Sequence, residues 1–433
     1  MRKIILTTIG SLGDLHPFIA LALALKGRGF RPVLAVPEDH LVKARAAGLE
    51  AVAVLPGFRD VCARLQLNEH DAAKWIMSNQ RHMLEQVVLP ELSSCAARLD
   101  EAAADAEAIV SSVFVLAAPI VAEKRNLPLI AVILQPMAML SAYDPPHTPD
   151  FRMTRHSPVG PAGARWNRLV YATLRQILHM LYRRRIDAVR VEHGLPPSGA
   201  KFMLEAGRDA PLTLCCYSPS FGPLAPDASK NALVVGFPMF DSQGGAAEML
   251  SPDLQAFLDE GPAPLVFTLG SFAVHAAGNF YTEAATTARR LGKRAILLTG
   301  ASDNMPSDSS VFACAYAPHS LLFPRAAAII HHGGVGTTGQ ALRAGLPQLV
   351  VPYMGDQFDN AHRIGRMGVG RVLRASRFTA RRATAMLTTL LRDETMAREA
   401  ADVARQMAHA DPAEAAAAAI EAQLGKRAAQ MVS

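Results

Sequence analysis

Apolar residues in the first half of the chain come in short unbroken runs rather than in alternation with polar ones. Ile4–Thr8, Pro32–Val36, Ala51–Leu55, Ala108–Ser112, Leu129–Leu134 and Leu212–Tyr217 are such runs. Strands covered by helices on both faces read this way, because neither side meets water. The segments between them, Pro17–Lys26, Leu41–Ala47, Trp75–Leu99 and Ala117–Lys124, have the length and composition of helices. Alternating strand and helix predicts an α/β, doubly wound domain with a parallel sheet. Asp144–Gly163 then holds five prolines and reads as a loop, followed by a long basic helix over Ala164–His193 with Arg183, Arg184 and Arg185 in succession. The simplest reading of that helix is one packed face and one solvated basic face; a contact with a membrane surface is the sharper reading. A strand at Leu233–Val235 closes the first unit. The Gly-, Pro-, Asp- and Ser-rich stretch 236–261 reads as a linker. The pattern restarts with strands at Leu265–Thr268, Arg294–Leu298, Phe312–Tyr316, Ala327–His331, Gln348–Val351 and Gly370–Leu373. It ends on an alanine-rich helix over Ala413–Gln430. Two Rossmann-like units follow, 1–235 and 262–412, with 413–433 as a terminal helix and tail.

Length and composition support this division. The 433 residues suit two domains, and 50% hydrophobic with 19% charged residues is ample for two cores and excludes a disordered chain. A formal charge of +6 is small for this length and is no signature of nucleic-acid binding, so no nucleic-acid partner is expected. The five cysteines form no CxxC pair and are expected to be free thiols in a reducing, cytoplasmic setting. The uncharged stretch Asn126–Tyr143 is as long as a short membrane span, but Pro128 and Pro136 make a strand leading into a loop the better reading. The expected location is therefore cytoplasmic, with peripheral contact to the inner membrane left open.

The densest chemistry lies at His331-His332-Gly333-Gly334-Val335-Gly336-Thr337-Thr338-Gly339, after an expected strand and at the start of an expected helix. Glycines let a ligand approach the backbone, and the free amides and positive dipole of a helix start attract an anion. Thr337 and His332 add donors suited to phosphate oxygens. The segment also matches the G-x-G-x-x-G dinucleotide fingerprint, which keeps an NAD-dependent oxidoreductase as an alternative, although that fingerprint leaves the two histidines unexplained. After the next strand comes Pro352-Tyr353-Met354-Gly355-Asp356-Gln357-Phe358-Asp359-Asn360, whose Asp356 and Gln357 suit vicinal sugar hydroxyls. Near the start, Gly10-Ser11-Leu12-Gly13-Asp14-Leu15-His16-Pro17 joins the first strand to the first helix. A carboxylate at Asp14 could take a proton from an attacking hydroxyl, with His16 as the second candidate base. Asp14 also reads as a helix-entry residue.

These motifs, in this order and spacing, resemble the donor-binding signature of the family-one glycosyltransferases, the two-domain group that includes plant and antibiotic enzymes. The signature opens at Tyr316-Ala317-Pro318-His319, continues through His332-Gly333-Gly334 and Gly345-Leu346-Pro347, and closes on Asp356-Gln357-Phe358-Asp359-Asn360. The resemblance implies a GT-B fold with a nucleotide-diphosphate sugar as co-substrate and no further cofactor. It places donor contacts at Gly13, Ser271, Tyr316, Ala317, Pro318, His331, His332, Gly333, Gly334, Gly336, Thr337, Asp356 and Gln357, and catalysis at Asp14. Within the family the chain is most similar to bacterial rhamnosyltransferases of rhamnolipid synthesis, through its Gly-Ser-x-Gly-Asp start and Val235–Asp241. That similarity implies inverting transfer of L-rhamnose from dTDP-rhamnose to a small lipophilic acceptor such as a hydroxy fatty acid, with a UDP-glucose-dependent natural-product enzyme as the alternative. Gln340 stands where many members carry a ribose-binding Glu, which leaves a thymidine donor open. Ser111 or Ser112 replaces an Asp that orients a histidine base in relatives. No DxD motif occurs, so metal-independent transfer is expected. Trp75, Phe114, Met137, Met139, Leu140 and Tyr143 are apolar candidates for the acceptor pocket.

Overall fold

The computed structural model describes residues 1–156, 159–205, 207–242, 248–300 and 308–432. Among the described residues thirteen strands form two wholly parallel sheets. The first holds β1 (Lys3–Thr7), β2 (Arg31–Pro37), β3 (Glu50–Leu55), β4 (Ala106–Ser112), β5 (Leu129–Ile133), β6 (Thr213–Cys215) and β7 (Ala232–Val234), in the order β3-β2-β1-β4-β5-β6-β7. The second holds β8 (Leu265–Thr268), β9 (Ala295–Leu298), β10 (Val311–Cys314), β11 (Ala328–His331), β12 (Gln348–Val350) and β13 (Gly370–Val372), in the order β10-β9-β8-β11-β12-β13. Every expected strand is present within two residues at each end. The central strands β1 and β8 are completely buried but for Lys3, as unbroken apolar runs require.

Eight helices position the parts discussed below. They are α1 (Leu12–Gly27), α2 (Leu41–Ala46), α3 (Pro161–Glu192), α4 (Pro252–Asp259), α5 (Val335–Ala344), α6 (Asp356–Arg366), α7 (Glu394–Ala408) and α8 (Pro412–Val432). The structure alters the sequence reading in four places. First, α1 begins at Leu12 rather than Pro17, because Ser11 caps it and Pro17 is accepted inside the helix. Second, the single helix expected over Trp75–Leu99 is broken. A helix ends at Ser78, a π-helical turn covers Met83–Val88, and a new helix starts at Leu92. Third, the expected linker is structured at its far end. Its helix α4 sends Leu254 and Leu258 into the second core beside Val266 and Ile296. Fourth, α8 belongs to the first unit. Its Ala416, Ala417, Ile420 and Leu424 lie in one buried cluster with Leu15, Phe18, Leu21 and Leu25 of α1. The apolar run over Asn126–Tyr143 is β5 followed by a loop, and among the described residues no helix is long and apolar enough to cross a membrane.

The two units also share a buried ionic junction. Arg363 of α6, 1% exposed, bonds Asp359 one turn earlier (2.7 Å) and Asp144 in the first unit's proline-rich loop (2.7 Å). Asp359 in turn accepts the His147 backbone N–H at 2.9 Å. Asp144 also meets Arg366 at 3.2 Å.

Because Ile420 is fully buried against α1, truncating it opens a cavity in the first unit. Ile420→Ala is expected to lower the unfolding free energy by about 2–5 kcal/mol in urea titration. A loss under about 1 kcal/mol would mean that α8 only rests on the surface.

Candidate active site

Strand order reverses between β1 and β4 in one sheet and between β8 and β11 in the other. In open α/β sheets a crevice forms at the carboxyl ends of the strands at such a reversal, and ligands bind there. The loop after β1 carries Gly10–Asp14, the loop after β8 carries Gly270 and Ser271, and the loop after β11 carries His332–Gly336. The two crevices face each other. A Cβ added to Gly336 would lie 3.2 Å from Gly13 Cα, so the backbones meet without room for side chains. Beside this contact the Leu12 N–H donates to Ser271 Oγ across the cleft at 3.3 Å.

Two helix N-termini therefore converge, and they differ chemically. Apart from the Leu12 N–H, the first turn of α1 is satisfied by its own residues. Ser11 Oγ accepts from the Gly13 N–H, and Asp14 Oδ2 accepts from the Ser11 N–H at 2.8 Å. The N-cap of α5 is Gly334, which has no side chain to offer, and Thr338 is the first residue of α5 whose N–H is bonded within the helix, to Gly334 O. The amides of Val335, Gly336 and Thr337 are thus left for an anion.

The residues around that turn divide into scaffold and ligand-ready groups. His331 is fully buried; its Nδ1 accepts from the Gly333 N–H (3.1 Å) and its Nε2 lies 2.9 Å from Gln348 Oε1. Its ring is therefore engaged in holding the glycine loop, so its expected donor contact would be made through the loop rather than by a free ring nitrogen. His332 differs: its Nδ1 is buried without a partner, and the ring lies between Gly270 and Gly334, where added Cβ atoms would collide with it. Burial, with the neighbouring histidines, pushes its pKa down to about 3, so it is a neutral donor rather than a cation. Gly333 takes a left-handed φ of 90°, available to glycine at little cost. Thr337 lies in the open first turn, and Thr338 Oγ1 and Gln340 Oε1 are buried without partners.

The next loop is held by its own side chains. Gln357 Oε1 accepts from the Tyr353 and Met354 N–H groups, so only its amide NH2 remains for a sugar. Asn360 donates both to Gly333 O and to Asp356 Oδ2, each at 2.9 Å, and so ties the glycine loop to the start of α6. Tyr316 donates its hydroxyl to Asp241 O, and the Asp241 carboxylate accepts from the Ser320 N–H at 2.6 Å. This clips the linker to the Tyr316 loop. Ala317 and Pro318 are buried beneath it, Ala317 in the second unit's core.

One residue not foreseen from the sequence completes the cleft. Lys43 of α2 places Nζ 5.8 Å from the centroid of the Tyr316 ring and 3.3 Å from His16 Nε2. A lysine in a short basic helix carries no sequence signal for this reach. The contact also bears on His16. Burial first, then Lys43, pushes its pKa down to about 3, and its Nε2 faces an ammonium donor, so it is a weak base. Ser111 and Ser112 are buried at the end of β4, with Ser111 Oγ bonded to Ser112 O, and neither orients a base.

Asp14 sits beside Gly10, where an added Cβ would lie 2.3 Å from Oδ2. Burial pushes its pKa up to about 6, against the pull of the Ser11 bonds. Asp356 is pushed up to about 7, by burial first and then by the Asp14 charge. The carboxyl group of the first unit is thus within electrostatic reach of that of the second. Of the apolar candidates for an acceptor pocket, Leu140 is buried, Trp75 is stacked on His82, and Tyr143 is engaged by Arg168. Phe114, in the loop after β4 at the strand reversal, is 43% exposed.

Comparison with known proteins agrees with this geometry. Residues 300–422 match the family described as "Erythromycin biosynthesis protein CIII-like, C-terminal domain". The whole chain is 32% identical over 408 residues to the vancomycin aglycone glucosyltransferase of Amycolatopsis orientalis, covering 92% of each. It is 30% identical over 402 residues to the O-mycaminosyltylonolide 6-deoxyallosyltransferase of Streptomyces fradiae, covering 91% of each. The chain is a family-one glycosyltransferase. Solved structures match the glycosyltransferase in fold. That of kitacinnamycin gives a TM-score of 0.72 at 19% identity over 98% of this chain and 99% of its own. The spinosyn rhamnosyltransferase SpnG complexed with thymidine diphosphate gives 0.61 at 21% identity over 95% and 98%. The oxidoreductase alternative is set aside: the glycine fingerprint is the loop after β11 of a GT-B second unit.

Three outcomes are expected of the glycosyltransferase. Asp14→Asn retains an oxygen for the Ser11 N–H but cannot take a proton. It should leave donor affinity nearly unchanged and lower turnover about a hundredfold or more. Below its pKa the Asp14 carboxyl is protonated and cannot act as a base, so wild-type kcat/KM should rise as pH passes upward through about 6. Near-normal turnover in Asp14→Asn would remove Asp14 from catalysis. His332→Ala should weaken the free nucleotide diphosphate by calorimetry, because a phosphate contact exists before the transition state as well as in it. Unchanged affinity would exclude His332 as a ligand.

Proposed function

We propose that the enzyme transfers L-rhamnose from dTDP-rhamnose, with inversion, to the hydroxyl of a small lipophilic acceptor such as a hydroxy fatty acid. In this reading Asp14 takes the acceptor proton while its oxygen attacks the anomeric carbon from the first unit's side. The bond from that carbon to the diphosphate oxygen breaks, and its electron pair leaves with the diphosphate. Attack in line with the leaving group inverts the anomeric centre. The open amides of α5, with Thr337, His332 and Ser271, stabilise the charge gathering on the diphosphate, and no metal is required. Tyr316 offers the base a platform, and Asp356 with the Gln357 amide binds sugar hydroxyls.

The observation that carries the donor choice is Gln340. Its Oε1 is buried without a partner on the helix that follows the phosphate loop. A carboxylate in that place would accept from both ribose hydroxyls and would suffer strongly from losing one. An amide oxygen is satisfied by one hydroxyl, which deoxyribose still supplies. SpnG, a solved structure of the same fold, is complexed with thymidine diphosphate, which supports a thymidine donor for this chain. The second reading, a UDP-glucose-dependent natural-product glucosyltransferase, is favoured by the identity to the vancomycin aglycone enzyme.

Competition between thymidine and uridine diphosphates for the purified enzyme, treated with EDTA throughout, separates the two readings. Comparable affinities, or tighter binding of the thymidine form, are expected, followed by transfer from dTDP-rhamnose in the same buffer. Uridine diphosphate binding more than about tenfold tighter, or roughly 1.4 kcal/mol, would overturn the donor assignment. Activity that returns only with a divalent ion would overturn metal independence.

A further inference from the structure

The helix α3 carries a surface that transfer chemistry does not use. It spans 32 residues and holds seven arginines against one aspartate and one glutamate, a surplus of five positive charges in a chain whose net charge is +6. Its inner face is fully committed. Asn167 donates to Ala142 O and Arg155 O and accepts from the Arg155 N–H, Tyr171 donates to Ser141 O, and Arg190 pairs with Glu123. These contacts hold the proline-rich loop that reaches Asp359 and Arg363.

The outer face is apolar where water would favour polar groups. Trp166, Leu169, Ile177, Met180, Leu181 and Val191 are each between 41% and 59% exposed. At a helical step of about 100° per residue these side chains fall in one stripe. Arg165 and Arg183 project on one flank of it, Arg185 on the other, and Arg184 within it. All four are exposed. Six large apolar side chains in one row exceed the scattered exposure ordinary for a soluble surface.

We infer that α3 docks the enzyme on an anionic lipid bilayer, lying flat with the Trp166–Val191 stripe among the acyl chains and its arginines against lipid phosphates. Charge decides the occupant. A second copy of this chain would oppose one arginine-rich stripe with another, whereas an anionic surface neutralises both flanks at once. Arginine stems also bury their methylenes while keeping the guanidinium at the headgroups. The inference does not depend on which sugar is transferred.

The full chain should co-sediment with phosphatidylcholine vesicles containing phosphatidylglycerol, not with phosphatidylcholine alone, and added salt should weaken the binding. The charge reversal Arg183→Glu/Arg184→Glu should lower the partition coefficient by roughly tenfold or more. Leu169→Asn/Met180→Gln/Leu181→Asn should do likewise while leaving the circular dichroism and Tm unchanged, since these side chains project outward. Failure to bind the anionic vesicles, or equal binding by wild type and variants, would overturn the proposal. So would a solution dimer, seen by light scattering, that the apolar variant converts to monomer.

Discussion

Arg363 is the largest side chain wholly withdrawn from water, and the arrangement of the cleft depends on its charge being met. A buried guanidinium is tolerable only where carboxylates and carbonyls surround it, and removing one partner of such a pair typically costs about 3–5 kcal/mol. Here one carboxylate, Asp359, comes from the same helix and the other, Asp144, from the opposite unit, with Phe221 O as a further acceptor at 3.4 Å. The requirement therefore fixes the proline-rich loop of the first unit to the helix whose first residue is Asp356. The first unit's loop and the start of α6 are held at one spacing by a group that is itself buried.

Within that frame the electrostatics are divided with little redundancy. Both units present a helix start to the cleft, but Ser11 and Asp14 quench the first, and Gly334 leaves the second open. The open helix start lies in the second unit, and the carboxylate that quenches α1 lies in the first. Burial holds His16, His319, His331 and His332 neutral, so the histidines contribute directed N–H donors and lone pairs rather than net charge. Lys43 brings an ammonium from the first unit across to the Tyr316 ring.

Much of this was legible in the sequence. Unbroken apolar runs announced the strands because parallel sheets bury both faces. The glycine loop, Asp356 and Asp14 were found because their neighbours are punctuated by Gly, Ser and Pro. What escaped was set by distant contacts. Tandem histidines look equivalent on paper, and only the Gln348 side chain and the Gly333 amide separate His331 as scaffold from His332. Pro17 reads as a helix start, yet Ser11 and Asp14 begin the helix five residues earlier. Asp359 and Arg363 stand four residues apart, but nothing in the sequence points to the partner more than two hundred residues away in Asp144. The break after Ser78 has no glycine or proline; Asn79 stands at it, and its side chain accepts from the Arg81 N–H, a capping cue that the long apolar stretch masks.

The return of α8 to the first unit has a consequence for building hybrid enzymes. If acceptor and donor preferences are to be exchanged between relatives, a joint at the linker between the two units looks like the natural place. The last twenty residues nevertheless complete the floor of the half they do not follow. A hybrid cut only at the linker would ask one protein's α1 to accept another protein's tail, with Ile420 and Leu424 meeting a surface that did not evolve with them. Exchange should therefore use two joints, one at the linker and one ahead of Pro412, so that each amino-terminal half travels with its own carboxyl terminus.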